Sequence, residues 1–288
     1  MLGLGAVPGA ALALGMALLV PHTPRWLVEK DREEEAKAVL ERTRGRDQVE
    51  GEISEIRDVA RQEGEVGVRD LLAPRIRPML VVGLGLAIFQ QIVGVNTVIY
   101  FSPTILSFTG LNAGSAVTQA LFIGLTNVVF TVLAILVLDR VGRRPLLLAG
   151  TAVLTVALAL LGCFFAFDSW QHSAPWLALV ALVLYIAAFA IGLGPVFWLM
   201  ISEIYPLRIR GSAMAVATVA NWTFNFLVSY FFLSLVGWIT RAGTFWLYAA
   251  IGVVAVLFFW WRVPETKGRS LEQIERDLGA EPVRAAGS

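Results

Sequence analysis

Five carboxamide side chains lie at the centres of long stretches of the sequence that contain no charged residue. They are Gln90, Gln91, Asn127, Asn221 and Asn225. Asn221 and Asn225 are four residues apart, so a helix would place both on one face. A carboxamide offers hydrogen-bond donors and acceptors without charge, which suits a neutral, polyhydroxylated solute. A phosphate or carboxylate ligand would call for Arg or Lys, and these stretches contain neither.

Each of these amides also has a purely structural interpretation. In a membrane, an Asn or Gln can tie two helices together, an interaction worth roughly 0.6 to 2 kcal/mol. For any one residue the two interpretations are evenly matched. Five amides at one depth favour a shared polar cavity near the middle of the bilayer, where transporters hold substrate.

Glycine and proline weaken two of the apolar stretches near the same depth. Gly94 follows the pair of glutamines, and Gly192 and Pro195 interrupt a later stretch. Interrupted helices free backbone groups that can line a cavity, and they can act as hinges. Two Trp residues nearby either pack between helices or stack on the apolar face of a sugar ring. These residues are Trp198 and Trp222.

Long apolar helices are the elements that must carry these residues. Of the 288 residues, 57% are hydrophobic and 16% are charged, whereas about 25% are charged in soluble domains. We therefore predict an all-α membrane protein with seven transmembrane helices. The predicted spans are long enough, or nearly so, to cross a bilayer, and they are residues 2–20, 79–101, 117–138, 145–167, 176–200, 212–236 and 244–261.

The first of these stretches has an alternative interpretation as a cleaved signal peptide. A signal peptide has a basic start and a small-residue cleavage site after its apolar part. Residues 2–20 lack the basic start, and no A-x-A site follows Val20 before Arg25. We therefore expect a genuine membrane span here.

Basic residues outside the spans lie mostly on one side of the predicted topology. Ten Lys and Arg occur in 139–144, in 201–211 and in the tail from residue 262, against Arg241 alone in the three intervening loops. Cytoplasmic loops carry the excess of Lys and Arg. We therefore expect a cytoplasmic C-terminus and an N-terminus outside.

Residues 21–78 form the one segment with a soluble character, and they carry 26 of the 45 charged residues. Apolar residues such as Ala36 and Leu40 recur there at helical spacing. A solvated linker would have no reason to keep such stripes. We therefore predict a small cytoplasmic helical insert over 21–78, a six-helix bundle over 79–262 and a cytoplasmic tail over 263–288.

Enzyme signatures are absent from the sequence. The motifs H-E-x-x-H and G-x-S-x-G do not occur, and the two histidines, His22 and His172, lie outside the spans. The single Cys163 leaves no internal disulfide to form. We expect no enzyme activity, no metal or cofactor, and no nucleic-acid partner.

Several short motifs occur in a fixed order along the chain. They are P-H-T-P-R-W-L (21–27), Q-Q-I-V-G-V-N (90–96), D-R-V-G-R-R-P (139–145), G-L-G-P-V-F-W (192–198), S-E-I-Y-P (202–206), N-W-T-F-N (221–225) and P-E-T-K-G (264–268). In these motifs the chain resembles the sugar porter family of the major facilitator superfamily. The resemblance implies that span 2–20 is the family's sixth, that 21–78 is its intracellular helical domain, and that the other six spans form its C-terminal bundle.

The resemblance also implies roles for individual residues. Those that match the family's sugar contacts are Gln90, Gln91, Asn96, Asn127, Trp198, Asn221, Trp222 and Asn225. The family's extracellular gate corresponds to Tyr100 and Phe101. Its cytoplasmic ion-pair network, which accompanies alternating access, corresponds to Asp139, Arg140, Arg143, Arg144, Glu203 and Arg210.

The chain departs from the family pattern in three ways. His22 and Thr23 stand where the family usually reads P-E-S-P-R, so the acidic partner there is lost. Ala190 stands where some animal facilitators carry Glu, which favours a bacterial type of porter. The family has twelve spans, and we expect a misassigned start codon or a gene fragment to explain why the first five have no counterpart.

The expected function is transport of a monosaccharide or cyclitol by alternating access, with this chain as the C-terminal half of the transporter. Its expected partners are the sugar, the lipid bilayer and a missing N-terminal half. Three alternatives stay open. They are a membrane protein that senses sugar without transport, a relative that moves another small solute, and a non-functional gene fragment.

Overall fold

All regular secondary structure that the structure describes is helical, as the sequence predicts. The structure is a computed structural model, and it describes residues 6–19, 22–44, 49–64, 71–107, 116–206 and 209–278. The chain divides into two compact units, Met1–Gly67 and Val68–Ser288. The predicted all-α class is confirmed.

The first unit contains four described helices: α1 (Ala6–Leu19), α2 (Pro24–Glu29), α3 (Glu33–Arg44) and α4 (Val49–Gly64). Thr23 caps α2 by accepting a hydrogen bond from the Trp26 amide, and Pro24 occupies a helix position where no backbone donor is needed. An ion pair between Arg57 and Glu33 joins α4 to α3. The apolar stripes of α2, α3 and α4 meet in a small core, which is formed by Leu27, Val28, Ala36, Leu40, Val49 and Ile53.

The second unit holds the long apolar helices. Its described elements are α5 (Arg77–Ile92), α6 (Val95–Tyr100), α7 (Ser102–Ser107), α8 (Ala116–Val141), α9 (Arg143–Ala166), α10 (Asp168–Ser173), α11 (Trp176–Ile191), α12 (Leu193–Glu203), α13 (Arg210–Arg262) and α14 (Leu271–Asp277). Five helical segments of the described chain are long and apolar enough to cross a membrane. They overlap six of the seven predicted spans, and of the remaining span the structure describes the 14 residues of α1.

The longest helix, α13, contains two predicted spans and reverses direction between them. Asn221 donates to the carbonyl of Ala87, and the ring of Phe259 lies 5.8 Å from that of Phe89. A straight helix would separate residues 221 and 259 by about 57 Å, so both cannot reach one turn of α5 without a reversal. The chain reverses at Thr240, whose backbone has φ of 69°. We call residues 210–239 the first limb and residues 241–262 the second limb.

The contacts also give the directions of these helices. The first limb runs parallel to α5 and α6, because Asn221 bonds to Gln90 and, eleven residues later along both segments, Phe232 packs against Phe101. The second limb runs antiparallel to α9. Arg144, near the start of α9, bonds to Trp260, whereas Gly162, near its end, lies against Trp246.

The break between α5 and α6 lies at Gly94, which has φ of 84°. A Cβ at this position would lie 2.8 Å from the ring of Tyr248, so glycine permits both the backbone conformation and the close packing. The Tyr185 hydroxyl donates to the Val93 carbonyl over 3.0 Å. The backbone at the break therefore keeps a hydrogen-bond partner inside the apolar bundle.

A second break separates α11 from α12 at Gly192. Here α9 crosses so closely that a Cβ on Gly150 would lie 2.8 Å from both the Ala188 carbonyl oxygen and the Gly192 Cα. Small residues allow such backbone approach in membrane helix packing. Both breaks lie at glycines that the sequence predicts to weaken the apolar helices. Both also lie next to the predicted layer of carboxamides.

Candidate functional site

Three of the five central carboxamides bond directly to one another. Asn221 Nδ2 donates to Gln90 Oε1 over 2.6 Å, and Gln91 Nε2 donates to Asn221 Oδ1 over 3.1 Å. Gln91 Nε2 also lies 3.3 Å from Gln90 Oε1. All three side chains are at most 5% exposed. They form a compact polar group, which we call the amide cluster (Gln90, Gln91 and Asn221).

Backbone carbonyls and one further amide complete the hydrogen bonding of the cluster. Gln90 Nε2 donates to the Leu193 carbonyl over 3.1 Å, at the first residue of α12 after the Gly192 break. Asn96 Nδ2, just past the Gly94 break, donates to Gln91 Oε1 over 2.9 Å. The helix breaks therefore supply both an acceptor and a donor to the cluster.

The cluster joins α5, α12 and the first limb of α13. Its amides therefore tie helices together, which is one of the two interpretations that the sequence leaves open. Asn221 Nδ2 uses both of its donor positions, on Ala87 and Gln90, and Gln91 Nε2 likewise has two acceptors. These donors are therefore held in fixed directions by the protein. Such a cluster presents a rigid polar wall.

That wall borders a cavity of about 370 Å³. Seven of the eight predicted contact residues line it, and its described lining consists of Gln90, Gln91, Val95, Asn96, Asn127, Thr131, Phe189, Ala190, Gly194, Pro195, Trp198, Asn221 and Trp222. None of these residues carries a charge. A cavity of this size, with apolar walls and a few convergent polar groups, has the character of a small-molecule site. Trp198 and Trp222 are 41% and 58% exposed, so the cavity is open on their side.

The sequence prediction did not include Thr131 among the cavity residues. Thr131 follows Asn127 by four residues on α8, so both occupy one helix face. That spacing is the same signal that paired Asn221 with Asn225, and it could have identified Thr131. Phe189 has no such signal, because an aromatic residue in an apolar helix is usual in any core.

Asn225 lies outside this cavity. Its Oδ1 accepts a hydrogen bond from Ser229 Oγ over 3.2 Å, and it lines a separate pocket with Trp222 and Tyr100. Tyr100, one of the two predicted gate residues, is 57% exposed. The other, Phe101, packs against Phe232 with a ring separation of 5.0 Å.

Part of the predicted ion-pair network is assembled around Arg143. Its Nη2 lies 3.0 Å from Glu203 Oε1, and its Nη1 lies 3.3 Å from Asp139 Oδ1. Arg210 donates to the Tyr205 carbonyl over 3.1 Å. Arg140 contributes its backbone carbonyl, which accepts from Lys267 Nζ over 2.6 Å.

Glu265 is the central residue that the sequence prediction left out of this network. Its Oε1 accepts from the Arg143 amide over 3.0 Å, and its Oε2 accepts from the Arg144 amide over 3.2 Å. These amides begin α9, whose preceding residue, Gly142, has no side chain to cap them. Glu265 is therefore a remote N-terminal cap, favoured by its charge at the positive end of the helix. The next residue, Thr266, donates to Glu203.

Replacing Glu265 with Gln should destabilise the protein by about 1 to 2 kcal/mol, because one acceptor oxygen becomes an amide donor that faces the N–H groups of α9. The measurement is thermal unfolding of the purified chain in detergent. Asp139→Asn is the matched control: it removes the same charge from a side chain that is 82% exposed, so its effect should stay within about 0.5 kcal/mol. Equal unfolding temperatures for Glu265→Gln and the unmodified chain would contradict the capping role.

No candidate metal centre is found in the described part of the chain, where no group of three or more His, Cys, Asp or Glu side chains could hold an ion. The cavity also lacks a charged group. Its chemistry is therefore that of hydrogen bonding and apolar contact to a neutral molecule.

Comparison with known proteins gives consistent matches along the chain. The family profile described as "Sugar (and other) transporter" matches residues 1–278. The putative metabolite transport protein YwtG of Bacillus subtilis (strain 168) is 40% identical over 278 residues, which cover 96% of this chain and 60% of the relative. The major myo-inositol transporter IolT of the same organism is 38% identical over 283 residues, 97% of this chain and 60% of that protein.

A solved structure of the proton:xylose symporter XylE, bound to 6-bromo-6-deoxy-D-glucose, superposes with a TM-score of 0.74 at 35% identity. The match covers 93% of this chain and 57% of that one. The chain thus spans about 60% of the length of the curated relatives named above.

Proposed function

The chain belongs to the sugar (and other) transporter family of multi-pass membrane proteins, and from that membership we propose that it carries one half of a pathway for a monosaccharide or cyclitol. The observation that carries the proposal is the uncharged cavity beside the amide cluster. The amide oxygens of Gln91 and Asn221 each accept one hydrogen bond from a neighbouring amide and can accept another from a sugar hydroxyl. The two exposed indoles offer apolar faces to a ring. The function is transport rather than catalysis, in keeping with its relatives, which are transport proteins.

The proposed roles of the site residues follow from their positions. The cavity residues of the sequence prediction, from Gln90 to Trp222, would contact solute. Asn225 and Tyr100 would act on its approach. The network around Arg143, Glu203 and Glu265 would hold together the helix ends that carry these residues. We propose that these helix ends face the cytoplasm.

The breaks at Gly94 and Gly192 are the proposed moving elements. Each one lies within a few residues of a cavity side chain, Asn96 in α6 and Trp198 in α12. A small change of backbone angle at either glycine would therefore move one wall of the cavity relative to the other. Alternating access further needs a second helical bundle opposite the cavity, which we propose as the partner of this chain.

Solute binding to the full chain in lipid nanodiscs tests the proposal. We expect D-xylose, D-glucose or myo-inositol to give a saturable signal in saturation-transfer NMR. D-glucose 6-phosphate should not compete, because the described cavity lining offers no cation to a phosphate. Stronger binding of the sugar phosphate than of any neutral probe would refute the assignment.

A further inference from the structure

The hydroxyl of Tyr185 holds a backbone carbonyl that the Gly94 break has freed. Tyr185 lies on α11, is fully buried, and donates to the Val93 carbonyl over 3.0 Å. In a continuous helix this carbonyl would accept from the backbone amide four residues later, at Thr97. The backbone bond that begins α6 runs instead from the Val98 amide to the Gly94 carbonyl, over 2.9 Å. Tyr185 therefore takes the place of a helical donor.

Thr97 is the residue whose hydroxyl lacks the partner that Tyr185 has taken. A threonine in a helix can donate its hydroxyl to the carbonyl four residues earlier, and for Thr97 that carbonyl belongs to Val93. Thr97 is fully buried, but its Oγ1 has no hydrogen-bond partner among the described residues. The hydroxyl of Tyr248 lies beside it without reaching hydrogen-bond geometry. The usual bond is made by Thr126, Thr151, Thr155, Thr223 and Thr244.

The Val93 carbonyl thus has two possible donors, which belong to two different backbone conformations. The carbonyl of a continuous helix points along the axis toward the residue four positions later, here Thr97. With Gly94 at φ of 84° the helix is broken, and the Val93 carbonyl accepts from α11 instead. The broken conformation leaves the Thr97 hydroxyl buried and unpaired, whereas a straight one would leave the Tyr185 hydroxyl so. Because each conformation leaves one buried hydroxyl unpaired, neither gains an overwhelming advantage from these groups.

The break also determines whether Asn96 reaches the amide cluster. Asn96 Nδ2 donates to Gln91 Oε1 across the break over 2.9 Å, and both residues line the cavity. On a continuous helix, two residues five positions apart lie about 140° from each other around the axis. Their side chains would then point in different directions. The contact between Asn96 and Gln91 therefore requires the broken conformation.

We propose that Tyr185 and Thr97 are alternative donors to the Val93 carbonyl, and that their exchange switches the Gly94 break between a broken and a straight state. The inference rests on the proposed function and deepens it, because it assigns the residues that control one wall of the cavity. In the broken state Tyr185 holds the carbonyl and Asn96 belongs to that wall. In the straight state Thr97 takes the carbonyl and Asn96 leaves the wall. Tyr185 is a positioning residue, since it lies outside the described cavity lining.

The test measures dissociation constants of D-xylose and myo-inositol for the full chain in lipid nanodiscs. Tyr185→Phe removes only the hydroxyl and should weaken binding about threefold to tenfold, because a hydrogen bond that favours the binding-competent state is lost. Adding Thr97→Val removes the competing donor and should return the affinity to within about twofold of the unmodified chain. Tyr248→Phe is the matched control: it removes the other buried phenol hydroxyl at the break, and it should change affinity by less than about twofold.

Amide hydrogen exchange gives a second readout, which does not depend on sugar. The first amides of a helix lack helical acceptors, so in the broken state the amides of residues 95–97 exchange readily. A straight helix would protect them. Tyr185→Phe should therefore slow exchange in residues 95–97 relative to the unmodified chain. The loss of a purely structural hydrogen bond would loosen the bundle and speed exchange there.

The outcomes separate this inference from the proposed function. Equal weakening by Tyr185→Phe with and without Thr97→Val would show that Tyr185 only stabilises the fold, and the switch would be overturned. Unchanged affinity in Tyr185→Phe, or faster exchange in residues 95–97, would overturn it as well. If no variant binds a neutral sugar, the proposed function falls, whereas slower exchange in Tyr185→Phe would still support the switch.

Discussion

Replacing Asn221 by Ala should weaken binding of the neutral sugar about tenfold to a hundredfold. Asn221 makes three hydrogen bonds, to Gln90, Gln91 and the Ala87 carbonyl, and it is 2% exposed. Its loss removes the hydrogen bonds that hold the Gln90 and Gln91 amides in position at the cavity wall. A tenfold to hundredfold loss of affinity corresponds to about 1.4 to 2.8 kcal/mol of binding free energy. The measurement is the dissociation constant in nanodiscs.

Two further variants show whether the loss belongs to the site. Thr223→Ala, two residues along the same limb, removes a hydroxyl that bonds to Val219 within its own helix, so binding should be unchanged. Asn127→Ala removes a cavity amide that lies outside the hydrogen-bonded cluster, so it should weaken binding without lowering the unfolding temperature. Unchanged affinity in a folded Asn221→Ala protein would show that the cluster only ties helices together.

The chain reconstituted alone in proteoliposomes should show no saturable sugar flux, and joining it to a matching N-terminal half should restore flux. The cavity is open on the side of Trp198 and Trp222, and alternating access requires a second body that closes first one end of the pathway and then the other. The measurement is uptake of radiolabelled D-xylose and myo-inositol against empty liposomes.

The joined protein also supplies its own control. The same fusion carrying Asn221→Ala should lose saturable uptake, since binding precedes transport. Robust saturable uptake by the isolated chain would contradict the proposal that it carries half of a pathway.

Much of the fold could be predicted from the long stretches of sequence that contain no charged residue. A helix in lipid must satisfy its own backbone groups, so each long stretch without charge could only be helical. The breaks at Gly94 and Gly192 were also predictable, because glycine tolerates conformations that other residues avoid. The reversal at Thr240 was predictable only as a loop between two spans; that a threonine adopts positive φ there has no signal in the sequence.

The candidate site was predictable to the extent that depth in the membrane places residues together. Position at the centre of a span was enough to nominate Gln90, Gln91, Asn127 and Asn221, which the structure brings around one cavity. Asn225 shares a helix face with Asn221 but lies about 6 Å further along the first limb, which is why it lies in the neighbouring pocket. Glu265 escaped prediction because its partners lie 122 and 121 residues away in sequence, and no local spacing encodes such a contact.

The same long separation sets an order of events during synthesis. The amides at the start of α9 lack their side-chain cap until Glu265 emerges from the ribosome, 122 residues after Arg143. At 5–20 residues per second the delay is roughly 6 to 24 s. During that interval α9 can already lie in the membrane with an open N-terminus, and Glu203 lacks its bond from Thr266. The short segment after the last long helix is therefore the last of these partners to be synthesised, and it supplies both the cap of α9 and the hydroxyl that donates to Glu203.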